Sequence, residues 1–114
     1  MTAYAVAHLL KAPPHPEVFE YMERIQDTLD PYGGLFIVHG GTSEVREGSW
    51  PGDTVIIQFP DLAAARSWYD SPAYQEIRPL RSRHIDGDVI LVDGVDPDHD
   101  SAQMAADLRT GTSA

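Results

Sequence analysis

The stretch "GGLFIVHGGTSEVREGSWPGDTVIIQFP", residues 33–60, decides the fold. Two apolar runs, "GLFIVHG" (34–40) and "DTVIIQF" (53–59), flank a polar loop with paired glycines, which reads as two consecutive strands. Both runs are apolar on both faces: Leu35 and Ile37 against Phe36 and Val38, and Ile56 against Val55, Ile57 and Phe59. A strand that is apolar on both faces is covered on both faces. The elements on either side must supply those covers.

Upstream, "TAYAVAHLL" (2–10) alternates as a strand, with Tyr4, Val6 and His8 on one face and Ala5, Ala7 and Leu9 on the other. The prolines of "KAPPHP" end it. The pattern then predicts a helix over Pro16–Leu29. Val18, Phe19, Met22, Ile25 and Leu29 recur at helical spacing, and Glu17, Glu20, Glu23 and Asp27 form the charged side. Pro16 suits a first helical position, and Asp30-Pro31 with Gly33-Gly34 stops the run.

Downstream, "PDLAAARSWYDS" opens a second helix with Asp61 as N-cap and Leu62, Ala65 and Trp68 or Tyr69 turned inward. Pro72 interrupts it, "PAYQEIRPLRSR" continues as a short helical segment, and "DGDVILVDG" (86–94) is the last strand. The order β-α-β-β-α-β is that of a ferredoxin-like α+β domain: one four-stranded antiparallel sheet with two helices on one face. Two helices cover one side only. The simplest cover for the other is a second copy of the chain, so a homodimer through the sheet face is expected.

The domain is expected to occupy residues 1–95, followed by an acidic tail over 96–114. Within the tail "SAQMAADLR" suits a short helix with Ser101 as N-cap, and "RTGTSA" reads as disordered. At 114 residues the chain can bury a core without disulfides, and having no cysteine it has no thiolate chemistry. A formal net charge of −10 with no Lys/Arg cluster argues against nucleic acid and anionic membranes as partners. The N-terminus reads as a strand rather than a signal peptide, and the cytoplasm is the expected compartment. The five histidines show no paired ligand spacing, so no metal site is expected. With no phosphate loop or dinucleotide fingerprint, no cofactor is expected either.

The segments "YGGLFIVHGG", "EGSW", "VIIQFPDLAAARSWYDSPAYQEIRPLR" and "VILVDG" closely resemble the family of domains of unknown function DUF1330, from Tyr4 to Gly94. That resemblance implies the dimeric α+β barrel architecture, in which two sheets pack face to face. The group includes small cofactor-free monooxygenases, isomerases and polyketide cyclases, as well as haem proteins and ligand-binding modules.

Three groups of residues are candidates for a site. With the sheet order 4-1-3-2 and the first and third strands taken as parallel, His39 falls on the face away from the helices. There it would lie near the loop bearing Glu47 and Trp50. An imidazole base oriented by Glu47, with Trp50 as a wall for a planar substrate, is the catalytic reading; turn chemistry with a packing lid is the competing one. His8 and Gln58 are expected together at the opposite end, either satisfying each other or lining a pocket between sheet and helices. In "SWYDSPAYQEIRPLR", Tyr69, Ser71, Tyr74, Arg78 and Arg81 combine aromatic walls, hydroxyls and cations suited to an anionic aromatic ligand, or else serve as helix break, core and surface. Ser71 reads as a helix break, not a nucleophile. Two functions follow. One is a cofactor-free enzyme (isomerase, cyclase or monooxygenase type) acting on a small aromatic or polyketide-like metabolite. The other is a non-catalytic dimeric module that binds a small molecule or a partner.

Overall fold

Residues 1–111 are described by the structure, a computed structural model. The alternation of "AYAVAHL" becomes strand β1 (Ala3–Leu9), with Ala3 and Ala5 buried. Helix α1 (Pro16–Leu29) starts where expected, and its cap is an imidazole: Nδ1 of His15 accepts the Glu17 amide at 3.1 Å. A short 3-10 turn (Asp30–Tyr32) follows, and Gly33 at φ 70° turns the chain toward β2 (Leu35–His39). Then come β3 (Asp53–Phe59), α2 (Leu62–Asp70), α3 (Pro72–Ser82), β4 (Gly87–Asp93) and α4 (Ser101–Arg109). Asp61 caps α2 as its position suggested, accepting the Ala64 amide at 2.7 Å.

Ser71 joins α2 to α3. Its hydroxyl donates to the Trp68 carbonyl at 2.7 Å and accepts the Tyr74 amide at 3.2 Å, so it ends one helix and caps the next. Both its hydrogen-bonding roles are structural.

The four strands lie in the order β2-β3-β1-β4, every neighbouring pair antiparallel. This corrects the expected parallel relation of the first and third strands. In this order the strand between two parallel ones is reversed, so β1 runs with β2, and β3 runs against both. The register sets His8 opposite Thr54 and Asp88, and Tyr4 opposite Gln58 and Val92. The sheet of one chain is open, with β2 and β4 as its edges.

A bulge interrupts β2. Phe36 pairs with Ile57 and Val38 with Ile56, leaving Ile37 as the extra residue. A bulged residue shifts everything after it by one position, and a one-position shift moves a side chain to the other face of a sheet. His39 therefore pairs with Val55 on the helix-facing side, not with the outward set in which simple alternation places it.

The helices cover one face around Trp68, Tyr74, Phe59, Leu29 and Ile77, the largest fully buried side chains. On α1 the inward stripe is Val18, Tyr21, Ile25, Thr28 and Leu29, whereas Phe19 stands half exposed. The expected stripe was thus rotated. Phe19 is about 100° around the helix from Val18. Thr28 can hold an inward position because its hydroxyl donates to the Ile25 carbonyl at 2.7 Å and receives the Trp68 indole N–H at 3.0 Å.

Much of the opposite sheet face is exposed in the single chain: Leu35 is 58% exposed, Ile37 49%, Ile90 56% and Val92 40%. In the tail, α4 forms over the expected residues, but Asp100 rather than Ser101 caps it, accepting the Ala102 amide at 2.9 Å. No α4 residue is buried. Of the end expected to be disordered, Arg109 is helical and Thr110 and Gly111 form a turn, while 112–114 lie outside the described residues. Among the described residues no helix is long and apolar enough to cross a membrane.

Candidate functional site

Between the helix-facing side of the sheet and α1–α3 lies a cavity of roughly 310 Å³. Small residues on the central strand make room for it. Ala5 and Ala7 of β1 form part of the wall, where larger side chains would fill the space under α1. Val18, Ile25, Val55, Ile57, Ile85 and Val89 keep most of the lining apolar.

Three polar side chains break that lining at its buried end. Arg81, near the end of α3, is only 7% exposed and lines the cavity. It takes part in none of the ion pairs among the described residues. Its guanidinium carbon lies 5.5 Å from the centre of the Tyr21 ring, and the Tyr21 and Tyr74 hydroxyls bond each other at 2.9 Å. Burial opposes the charge on Arg81, yet the guanidinium's pKa lies above its ordinary value, because the attraction that outweighs burial is to Tyr21 and Tyr74 in their ionised forms. Beside the neutral phenols only their hydrogen bonds offset the cost of burial. Burial also drives the Tyr21 phenol's pKa well up, helped by Tyr74, against a smaller opposing pull from Arg81. Both effects favour a cation beside a neutral phenol. A desolvated cation normally has a carboxylate partner, because removing charge from water is costly. This one faces a cavity instead.

His39 lines the same cavity at its exposed rim, its ring stacked on Phe36 with centroids 4.2 Å apart and planes 7° from parallel. The bulge in β2 puts it there. Gly40, Met22 and Asp53 complete the rim, and Asp53 pairs with Lys11 at 2.9 Å. An imidazole at the mouth and a guanidinium at the base give the cavity one group that can exchange a proton and one that can hold negative charge.

The sheet divides the other candidates. Trp50 lies on the outer face, stacked on His8 with ring centroids 4.4 Å apart, and its indole N–H donates to the Thr54 hydroxyl at 2.8 Å. The His8 ring also hydrogen-bonds the Pro51 carbonyl. Together these contacts pin the β2–β3 loop back across the sheet. His39 and Trp50 are thus on opposite faces. Glu47 is exposed in the loop and makes no hydrogen bond or ion pair within the described chain, so it does not orient His39. Gln58 faces outward opposite Tyr4, at the other end of the sheet from His8. Tyr69 is half-buried with its ring edge-on to Trp68, outside the cavity lining.

Tyr74 and Arg81 are therefore the expected ligand residues that meet in the cavity, joined by His39. Sequence reasoning missed Tyr21. Its signal was available: a phenol at the i+3 position from Val18, on the same helical stripe as Ile25.

The profile of the domain of unknown function DUF1330 matches residues 2–95. Among solved structures, a protein of unknown function from Rhodopseudomonas palustris superposes with a TM-score of 0.64 at 16% identity, over 84% of each chain. SnoaB, a cofactor-independent oxygenase from Streptomyces nogalater, superposes at 0.51 with 15% identity, over 87% of this chain and 96% of its own. A dimeric ferredoxin-like protein of unknown function from a Jannaschia species gives 0.50 at 16% identity, over 79% and 98%. At these identities the likeness is one of fold. No curated protein matches the sequence.

Proposed function

The chain belongs to the DUF1330 family, and we propose that it is a small homodimeric enzyme acting on an aromatic or polyketide-like metabolite through an anionic oxygen bound at Arg81. One observation carries this reading: a buried guanidinium with no carboxylate partner among the described residues, framed by two phenols, at the base of a largely apolar cavity. The apolar walls accept a planar ring, and Arg81 supplies the counter-charge that the ligand's oxygen needs once desolvated. His39 at the rim takes a proton from the ligand, the resulting negative charge settles on the oxygen facing Arg81, and the proton returns to a different atom. Such a sequence serves isomerisation or cyclisation with side chains alone. The shared fold of a cofactor-independent oxygenase is in keeping with it.

The exposed outer face of the sheet supports the dimer, and the dimeric neighbour of the same fold agrees with it. We take the cytoplasm as the place of action, as the sequence suggests. A second reading has its own support, since His39 has no carboxylate to orient it among the described residues: a binding module that holds the same anion without turning it over.

A thermal-shift panel of planar phenols, β-diketones and aromatic carboxylates, each beside its neutral amide or ether, tests the proposal. Stabilisation by the acids alone, lost in Arg81→Met, supports it; equal response to neutral and anionic members refutes it. Turnover of the best ligand by the wild type and not by His39→Ala selects the enzyme. Unchanged binding without turnover in either selects the module.

A further inference from the structure

Outside the cavity, one cluster among the described residues brings metal-ligating side chains together. His15 and Glu17 stand at the start of α1, and His84 follows the end of α3, where its amide and that of Ile85 both bond the Arg81 carbonyl. Nε2 of His84 lies 2.7 Å from Oε1 of Glu17, and the His15 and His84 rings stack with centroids 3.6 Å apart. One ligand atom from each residue lies within 4.8 Å of the others, and all three residues are half-buried. The cluster is invisible in sequence spacing, because 67 positions separate Glu17 from His84.

We propose that His15, Glu17 and His84 bind a borderline divalent cation such as zinc, tying the start of α1 to the α3–β4 turn. Two imidazoles and one carboxylate are a donor set for zinc and its neighbours, whereas calcium and magnesium take all-oxygen sites. The geometry is close. With metal–ligand bonds of about 2.1 Å and tetrahedral angles, ligand atoms stand about 3.4 Å apart. The His84–Glu17 contact of 2.7 Å therefore opens by about 0.7 Å, while the other separations, all within 4.8 Å, close by at most about 1.4 Å, which side-chain rotation of the stacked rings supplies.

Two groups compete with the metal. The Glu17 amide now donates to Nδ1 of His15, and ligation through either nitrogen gives up that cap, since the ring proton must reside on the other. Nη1 of Arg83 lies 3.6 Å from Oε2 of Glu17, but its side chain is largely exposed and free to swing into water. These costs set a moderate affinity. Because Val18 and Ile85 line the cavity and adjoin Glu17 and His84 in the chain, a bound ion would clamp two of its walls.

Isothermal titration of the metal-stripped full chain with zinc, and visible spectroscopy with cobalt, test the site. One ion per chain is expected, with the intense absorption of low-coordinate cobalt. His15→Ala, Glu17→Gln and His84→Ala should each weaken binding by about 100-fold or more, since even an outer-shell partner is worth roughly 10- to 100-fold. His84→Gln keeps the bulk of the side chain, and circular dichroism of each metal-free variant shows whether the fold persists. His99→Ala controls for the acidic tail, where Asp96, Asp98 and Asp100 adjoin a histidine. Absence of binding, loss in His99→Ala, or retention in all folded cluster variants overturns the proposal.

Discussion

Replacing Arg81 by Met should make the protein more stable while removing its capacity to bind an anion. The side chain is almost wholly buried and has no carboxylate partner among the described residues. Holding a charge away from water costs several kcal/mol after relaxation. Against this stand the contact with the Tyr21 ring at 5.5 Å, worth about 0.5–2 kcal/mol, and polar contact with the two phenols. Those phenols keep each other as partners when the guanidinium goes. Methionine fills much of the same volume with no charge to desolvate. The balance favours the variant by about 1–2 kcal/mol, in the range seen when buried ionic groups give way to apolar ones. At about 4 °C per kcal/mol for a chain of this size, the melting temperature rises by about 4–8 °C. Ligand-free melts followed by circular dichroism measure it directly. A fall of 4 °C or more would show that Arg81 anchors the scaffold, and the argument for a ligand-facing cation would go with it.

Gly52→Ala should cost about 2–4 kcal/mol, because its φ is 88° and the added Cβ would lie 2.1 Å from the Leu9 carbonyl oxygen; a melt within 2 °C of wild type would mean that the β2–β3 loop shifts freely. Ile90→Asp should leave a folded chain, since Ile90 is already 56% exposed in the monomer, but abolish the dimer in sedimentation velocity. A dimer that survives it uses another face. Truncation after Val95 should change stability by no more than about 0.5 kcal/mol, as no α4 residue is buried; a larger drop in a thermal melt would place α4 against a second subunit. Glu47→Ala should likewise stay within about 0.5 kcal/mol and leave ligand stabilisation intact, because Glu47 touches nothing that positions His39.

Element order, both helix starts and the break at Ser71 were legible because each rests on neighbours in sequence: alternation, a cap, a proline. The two-sided apolarity of residues 35–38 and 55–59 marked a sheet that a single chain leaves half covered. Strand direction was misjudged, since runs of apolar residues do not say which way a strand enters a sheet. The phase of α1 slipped because Phe19 is more hydrophobic than Tyr21, yet the tyrosine has a partner for its hydroxyl inside. The site suffered most. Whether His39 faces the cavity or the outer surface turns on one bulged residue, and Ile37 looks like any other strand isoleucine. Arg81 and Tyr74 were within reach because they share a helix, while Trp50 was grouped with His39 by proximity in the loop and parted from it by the sheet.

The bulge at Ile37 makes the chemistry of this hairpin a matter of counting. Excise a single residue between Leu35 and Val38, and the strand still pairs and still ends in a histidine, but the imidazole swings to the outer face of the sheet. An insertion or deletion of one codon is thus a complete switch between a cavity with a proton-exchanging rim and one without. Relatives that keep the histidine but differ by one residue in this strand would carry the same letter with a different meaning, so alignment columns here have to be read together with strand length.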